Sequence, residues 1–253
     1  MLRLLKALSF TLALATLAVF VGCNSGSSTK ARFVNALWNT AAYGGSNGPL
    51  DLYVNGAKDF SGVTFATVSP GAGYASVPPG SDTFEAYESP DDTTPVFTQS
   101  LTVSSGEQTL VAIGQAYGTF FFMSFPDDNT APAAGNVNFR VINASDAQQA
   151  VDVYIEQTPS NPPIGCPSQC PTISSLAQHS ASGYVTLSNP GTGWTIYVTQ
   201  TGSKTPLPGW FNGFSTGDFG GPGIASIRTL VLTNQDGDPE SMSNPPVYLA
   251  DLN

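Results

Sequence analysis

The side chains in this sequence that could do chemistry are few. His179 is the sole imidazole, and Ser180 and Ser182 stand beside it. Nucleophilic catalysis needs a serine within hydrogen-bond reach of its base. No Gly-x-Ser-x-Gly elbow occurs in the chain, and an exposed loop histidine just before a strand at Tyr184–Leu187 is the ordinary explanation. Cys166 and Cys170 form a C-x3-C pair, whose default state in an exported protein is a local disulfide. So short a loop contributes only about 2 kcal/mol by chain entropy, so the bridge would pin a loop rather than hold a domain. A redox role would need C-x-x-C spacing in a thioredoxin-like setting, which is missing. Asp236, Asp238 and Glu240 alternate beside a Gly turn and make a weak calcium candidate, with three or four oxygens where calcium takes six to eight. Acidic turns also arise from plain turn chemistry, so no metal site is firm. With one His and three Cys the usual zinc and iron–sulfur sites are excluded. No cofactor is implied, no acid–base constellation stands out, and the chain reads as a non-enzyme.

Aromatic side chains are the other resource. The stretch Pro206–Gly223 places Trp210, Phe211, Phe214 and Phe219 in a Gly-rich setting too irregular to be strand throughout. The long Leu37–Pro49 loop offers Trp38 and Tyr43 in a similar setting. Flat rings beside Asn and Asp suit a patch for a glycan or protein ligand. Large aromatics usually end up buried, however, and the same rings would close the open end of a sandwich or fill a seam between domains.

The elements that carry these residues begin after an address. Residues 1–22 hold a positive start at Arg3 and Lys6, then an apolar run from Ala7 to Gly22. That run is short of the roughly 20 residues a spanning helix needs, so it reads as a signal helix. It ends in Phe20-Val21-Gly22-Cys23, which resembles the lipobox of bacterial lipoproteins, although Phe20 stands where Leu is usual. The resemblance implies cleavage before Cys23 and lipid attachment to its thiol, hence a partner in the membrane. Multiple acyl chains would make that anchor firm. A Ser/Gly tether over 23–30 follows. Asn24 is not the Asp linked to inner-membrane retention, so the same resemblance implies the outer membrane.

Charge narrows the partners. The chain carries 8 Lys+Arg against 18 Asp+Glu, a net −10, and becomes −12 when Arg3 and Lys6 leave with residues 1–22. Eight basic residues over the whole length make no basic patch, which excludes nucleic acid. Only 10% of residues are charged while 11% are aromatic, which excludes a disordered acidic tail.

The remainder is a duplication in β. Arg32-Phe33-Val34-Asn35-Ala36 recurs as Arg140-Val141-Ile142-Asn143-Ala144. Leu50-Asp51-Leu52-Tyr53-Val54 recurs as Val151-Asp152-Val153-Tyr154-Ile155, Tyr74 as Tyr184, and Thr109-Leu110-Val111 as Thr229-Leu230-Val231. Alternation in the second motif predicts one buried face and one wet face, with Asp51, Tyr53, Asp152 and Tyr154 on the wet side. Further strands are expected at Arg32–Leu37, Tyr74–Val77, Thr83–Glu88, Val96–Val103, Gln108–Gly114, Thr119–Phe125 and Val247–Leu252. The expected fold is all-β: two tandem immunoglobulin-like antiparallel β-sandwiches over 31–126 and 137–253, joined by a Pro/Ala/Gly-rich linker over 127–136.

The Arg-x-Val-x-Asn-Ala opening, the Val-Asp-Val-Tyr strand and the Tyr-x-x-Val/Leu strand before Pro and Gly resemble a bacterial family known as domain of unknown function 4397. The resemblance implies exported, often lipid-anchored Ig-like repeats, and brings no catalytic residues with it. The functional expectation is a cell-envelope lipoprotein acting as a non-catalytic binding or adhesion module through its loop aromatics. The alternative is a structural spacer or accessory subunit of an envelope complex.

Overall fold

The structure, a computed structural model, describes residues 29–37, 49–71, 73–114, 120–145, 150–157, 170–188, 194–214, 224–233 and 247–252. In the first half the chain forms β1 (Thr29–Asn35), β2 (Leu50–Val54), β3 (Ala57–Val63), β4 (Thr67–Ser69) and β5 (Ala75–Val77). It continues through β6 (Gly80–Glu88), β7 (Phe97–Val103), β8 (Gly106–Gly114) and β9 (Phe120–Pro126). The second half begins with β10 (Asn136–Asn143), β11 (Ala150–Gln157), β12 (Ile173–Ala177), β13 (Ser180–Ala181) and β14 (Val185–Ser188). It ends with β15 (Trp194–Gln200), β16 (Pro206–Phe214), β17 (Ser226–Leu232) and β18 (Val247–Leu252). The described residues are all-β, with no helix among them.

Four sheets result, and the two halves have matching orders. The first half has β4-β1-β8-β9, with β5 also on β1, and β3-β2-β6-β7. The second has β13-β10-β17-β18, with β14 also on β10, and β12-β11-β15-β16. Local chemistry explains the elements. Asp82, Phe84 and Ala86 of β6 turn inward at every second residue. Asn55 and Gly56, both at positive φ (51° and 79°), close the β2–β3 hairpin as such a two-residue turn requires.

Pairing is not antiparallel throughout. β1 runs parallel to β8, and β10 parallel to β17. A parallel neighbour requires a long crossover, and here the chain passes through the facing sheet before it returns in the same direction. Boundaries also shift. Thr29 and Lys30 belong to β1 rather than to a tether, because Thr29 pairs with Val77 and Gly106, and Lys30 with Ser76 and Glu107, on the two sides of the strand. The aromatic stretch is strand as far as Phe214, since β16 pairs with β15.

Within each half two sheets face each other in sandwich fashion. Phe33, Leu52, Phe84, Leu110 and Phe122 fill the first core; Phe139, Val153, Ile196 and Leu230 fill the second. A third apolar cluster joins the halves. Val34, Val111, Ile113 and Phe125 meet Ile142, Val231, Val247 and Leu249 there. Strand alternation makes this possible, because Phe33 faces the first core while Val34, one residue on, faces the second half. Both central sheets are therefore covered on both faces, and the layers stack four deep.

Candidate functional site

A group of charged and aromatic side chains meets at the contact between the halves. Arg32 on β1 and Arg140 on β10 point to the same side as Val34 and Ile142, into the seam. Both are buried, and each finds a carboxylate across from its own strand. Arg32 Nη1 pairs with Asp251 of β18, and Arg140 Nη2 with Asp127, just past β9. Each guanidinium thus takes its main partner from the other half. Arg32 Nη2 also lies 3.3 Å from Asp127 Oδ2. Arg32 Nε donates to Thr109 Oγ1 at 2.9 Å and Arg140 Nε to Thr229 Oγ1 at 3.3 Å. Those threonines donate in turn to Asp127 (2.7 Å) and Asp251 (2.6 Å). An aromatic ring covers each guanidinium, Tyr74 over Arg32 at 5.2 Å and Tyr184 over Arg140 at 4.8 Å.

Four residues of the first half are thus answered by four of the second: Arg32, Thr109, Tyr74 and Asp127 by Arg140, Thr229, Tyr184 and Asp251. The side chains of Asp127 and Asp251 are fully buried. Burial pushes the Asp251 carboxyl above its usual range, and Arg32 and Thr229 pull it back only in part. Burial alone would lower Arg32, but Asp251 and Asp127 outweigh it and hold the guanidinium above its ordinary value. Burial raises both tyrosines, Tyr184 to about 12 despite the nearby Arg140. Two fixed cations facing two buried anions make a neutral structural lock, and every group is committed to holding another.

Beside this lock a cleft of about 630 Å³ opens where Asp127 and Asp128 meet the 179–184 turn. Met123 and Phe125 of β9 form one wall, and His179, Ala181 and Tyr184 the other. His179 stands edge-on to Phe121 across the seam, with ring centroids 4.9 Å apart, and is half-buried rather than exposed.

Residues 29–154 match the family described as a domain of unknown function, DUF4397. That segment belongs to the DUF4397 family. The match starts with β1 and ends at Tyr154 in β11, so it takes in Arg32, Asp127 and Arg140 of the seam. No curated protein matches the chain. Among solved structures, the product complex of the multi-modular glycogen-degrading pneumococcal virulence factor SpuA is 13% identical, with a TM-score of 0.26. The likeness covers 86% of this chain and 21% of that one, about a fifth of its length, and is too slight to bear on function.

The DUF4397 motifs acquire roles from this geometry. In Arg-x-Val-x-Asn-Ala the Arg serves the seam and the Asn ties the two sheets of its half together. Asn35 Nδ2 donates to Val63 O at 2.9 Å, and Asn143 Nδ2 to Leu176 O at 3.4 Å. Each Oδ1 accepts from a backbone amide two residues on, at Leu37 and Ser145. The Asp of the second motif is not on a wet face. Asp51 and Asp152 are buried because the partner strands β3 and β12 each carry a bulge opposite the carboxylate, and Tyr154 is buried too. Gly62 (φ 64°) and Ser175 (φ 50°) take the left-handed conformation at those bulges. Their amides donate to Asp51 at 2.6 Å and Asp152 at 2.7 Å. Asp152 also accepts from Gly202 N at 2.9 Å. The recurrence of Arg32 as Arg140 and of Asp51 as Asp152 marked those four residues, but nothing in the sequence marked Asp127 or these bulges.

Asp51 has a titration consequence. Burial would raise it, but Lys58 Nζ at 2.7 Å and the Gly62 amide outweigh that and hold it below the usual carboxylate range. A lowered folded value means the carboxylate stabilises the fold above its unfolded value of about 3.9. That stabilisation is lost as pH falls through the folded value. Thermal melts from about pH 6 to pH 2 should show a smaller acid-induced loss for Asp51→Asn than for wild type. Equal losses would show that Asp51 does not contribute.

The remaining sequence candidates divide. Trp210, Phe211 and Phe214 lie on β16, at an edge of the outermost sheet of the second half. Trp38, Tyr43, Phe219, Cys23, Cys166, Asp236, Asp238 and Glu240 lie outside the described residues. Cys170 is exposed, and its expected disulfide partner Cys166 lies outside the described residues. Segment 127–136, expected as a linker, is tied down at its start: Asp127 N donates to Glu107 O at 2.8 Å, and Asn129 reaches Tyr74 and Glu107.

Proposed function

We propose that this chain is an exported, lipid-anchored, non-catalytic binding module of the bacterial cell envelope, with two Ig-like repeats acting as one rigid block. The carrying observation is the reciprocal seam, in which Arg32 takes Asp251 and Arg140 takes Asp127. A fixed block presents its outer sheets and loops in one orientation, which lowers the ordering cost when a partner binds. Among the described residues, Arg32, Arg140, Asp127 and Asp251 are spent on holding the repeats. Lipid on Cys23 would place the block on the outer membrane, with Trp38, Tyr43, Trp210, Phe211, Phe214 and Phe219 as its aromatic contacts for a glycan or protein.

The test uses the protein expressed in a bacterial host. Radiolabelled palmitate should enter wild type and not Cys23→Ser, and the mature protein should bind on a glycan array with Trp210→Ala weakened. Label retained by Cys23→Ser would overturn the anchor, and Trp210→Ala binding like wild type would overturn the aromatic contact. The same rigid seam also favours a second reading, a spacer that holds an envelope complex at a set distance; an array with no binding at all would select it.

A further inference from the structure

The matching halves provide an internal control on the cleft beside the seam. Register places Asn35 opposite Thr67 and Asn143 opposite Ser180, so His179 in the second half answers Ala66 in the first. Both take the same left-handed conformation, with φ of 54° and 56°. The fold therefore asks this position for a backbone shape, which Ala supplies, and an imidazole is an addition made at one end only. The facing strand differs in the same sense. Phe125 and Met123 of β9 answer Leu249 and Val247 of β18 by their register with Thr109 and Thr229. Larger, softer side chains stand where the first half's end of the seam meets smaller ones.

The geometry points to this cleft as a binding site for a lysine or arginine side chain of a partner protein, its aliphatic stem along Met123 and Phe125 and its charged head at Asp128. The walls suit a stem that keeps only its tip wet. Arg140 is a poor anion site, because each of its nitrogens already donates within the fold, Nη1 to Pro126 O at 2.7 Å, Nη2 to Asp127 and Nε to Thr229. Ser180 Oγ donates to Ala177 O and Ser182 Oγ to Gly183 O, so the hydroxyls that would read a sugar are committed internally. Asp128 is exposed at the rim, and its contacts with Thr130 hold its carboxyl below the usual range, ionised at neutral pH. A chain at net −10 adds a long-range field that draws cations to it.

This site is separate from the β16 aromatics, so its failure and theirs are read by different variants. Because His179 is the sole histidine, its ring Hε1 proton gives one assignable NMR signal. The probes are Nα-acetyl-lysine N-methylamide, its arginine and norleucine counterparts, and maltotriose. The lysine or arginine probe should shift the His179 signal saturably at millimolar concentration, the range for one side chain alone. Norleucine and the Asp128→Asn variant should each weaken binding by about fivefold, the upper end for an exposed ion pair. Asp91→Asn, which removes an exposed acid in another loop, should match wild type. No shift with the cationic probes, equal binding of norleucine, or Asp128→Asn matching wild type would overturn the proposal. A shift with maltotriose in preference to the cations would overturn it too, in favour of a glycan.

Discussion

Asp127→Ala is expected to lower the unfolding free energy by about 3–5 kcal/mol, the cost of breaking a buried ion pair from one side. The magnitude follows from what that carboxylate holds. It accepts from Thr109 and from the Tyr74 hydroxyl at 2.8 Å, and it pairs with Arg140 while lying near Arg32. Removing it leaves Arg140 buried without its carboxylate, and leaves Arg32 with Asp251 alone. Urea melts would measure the loss; in a chain of this size the thermal midpoint should fall by on the order of 10 °C. A variant within about 1 kcal/mol of wild type would show that the charges are hydrated after all. Replacing Arg32, Arg140, Asp127 and Asp251 together by apolar residues of like volume should instead be neutral or stabilising. The pair of results separates a lock that adds strength from one that sets register.

Register is the stronger account. A buried ion pair adds little over a packed apolar pair, whereas crossed pairs are satisfied in one alignment only. Arg32 on β1 reaches Asp251 near the chain's far end, and Arg140 reaches back to Asp127. Sliding one central sheet over the other would separate both pairs at once, although the apolar residues around them would tolerate it.

The sequence already contained most of the strands and little of this seam. β18 coincides with the expected Val247–Leu252, and β8, β9 and β7 fall within two residues of expectation. Alternation and turn residues are local, and so they are readable. The four-layer stack shows only in the structure, where β17 and most of β8 are buried without a break, as strands covered on both faces are. Asp51 misled because alternation reports which face a side chain is on, not whether a bulged partner strand brings an amide to meet it. Asp127 had no periodic signal at all; it sits in a Pro/Asp turn and matters only because Arg140 and Arg32 fold onto it. Among the aromatics, β16 was hidden by Gly and Pro, which lower strand propensity without forbidding an edge position.

A second large effect tests whether the halves unfold as one. Phe122 is 1% exposed and sits among Phe33, Phe84 and Phe97, with ring centroids 6.3, 5.8 and 4.2 Å away. Its backbone is also clasped by Gln99, which accepts from Phe122 N at 2.6 Å and donates to its carbonyl at 3.1 Å. Phe122→Ala should therefore cost about 3–5 kcal/mol in the first core, as large-to-small aromatic changes do. Its neighbour Phe121 faces the seam and is half-buried, so Phe121→Ala should cost distinctly less. The informative reading comes from the other half, where Trp194 is buried in the second core. With Trp38 and Trp210 replaced by Phe, Trp194 fluorescence reports that half alone. If the seam makes one cooperative unit, Phe122→Ala shifts the Trp194 transition as far as it shifts global unfolding by circular dichroism. A Trp194 transition left in place would mean that the halves fold separately, and the rigid block would be lost with it.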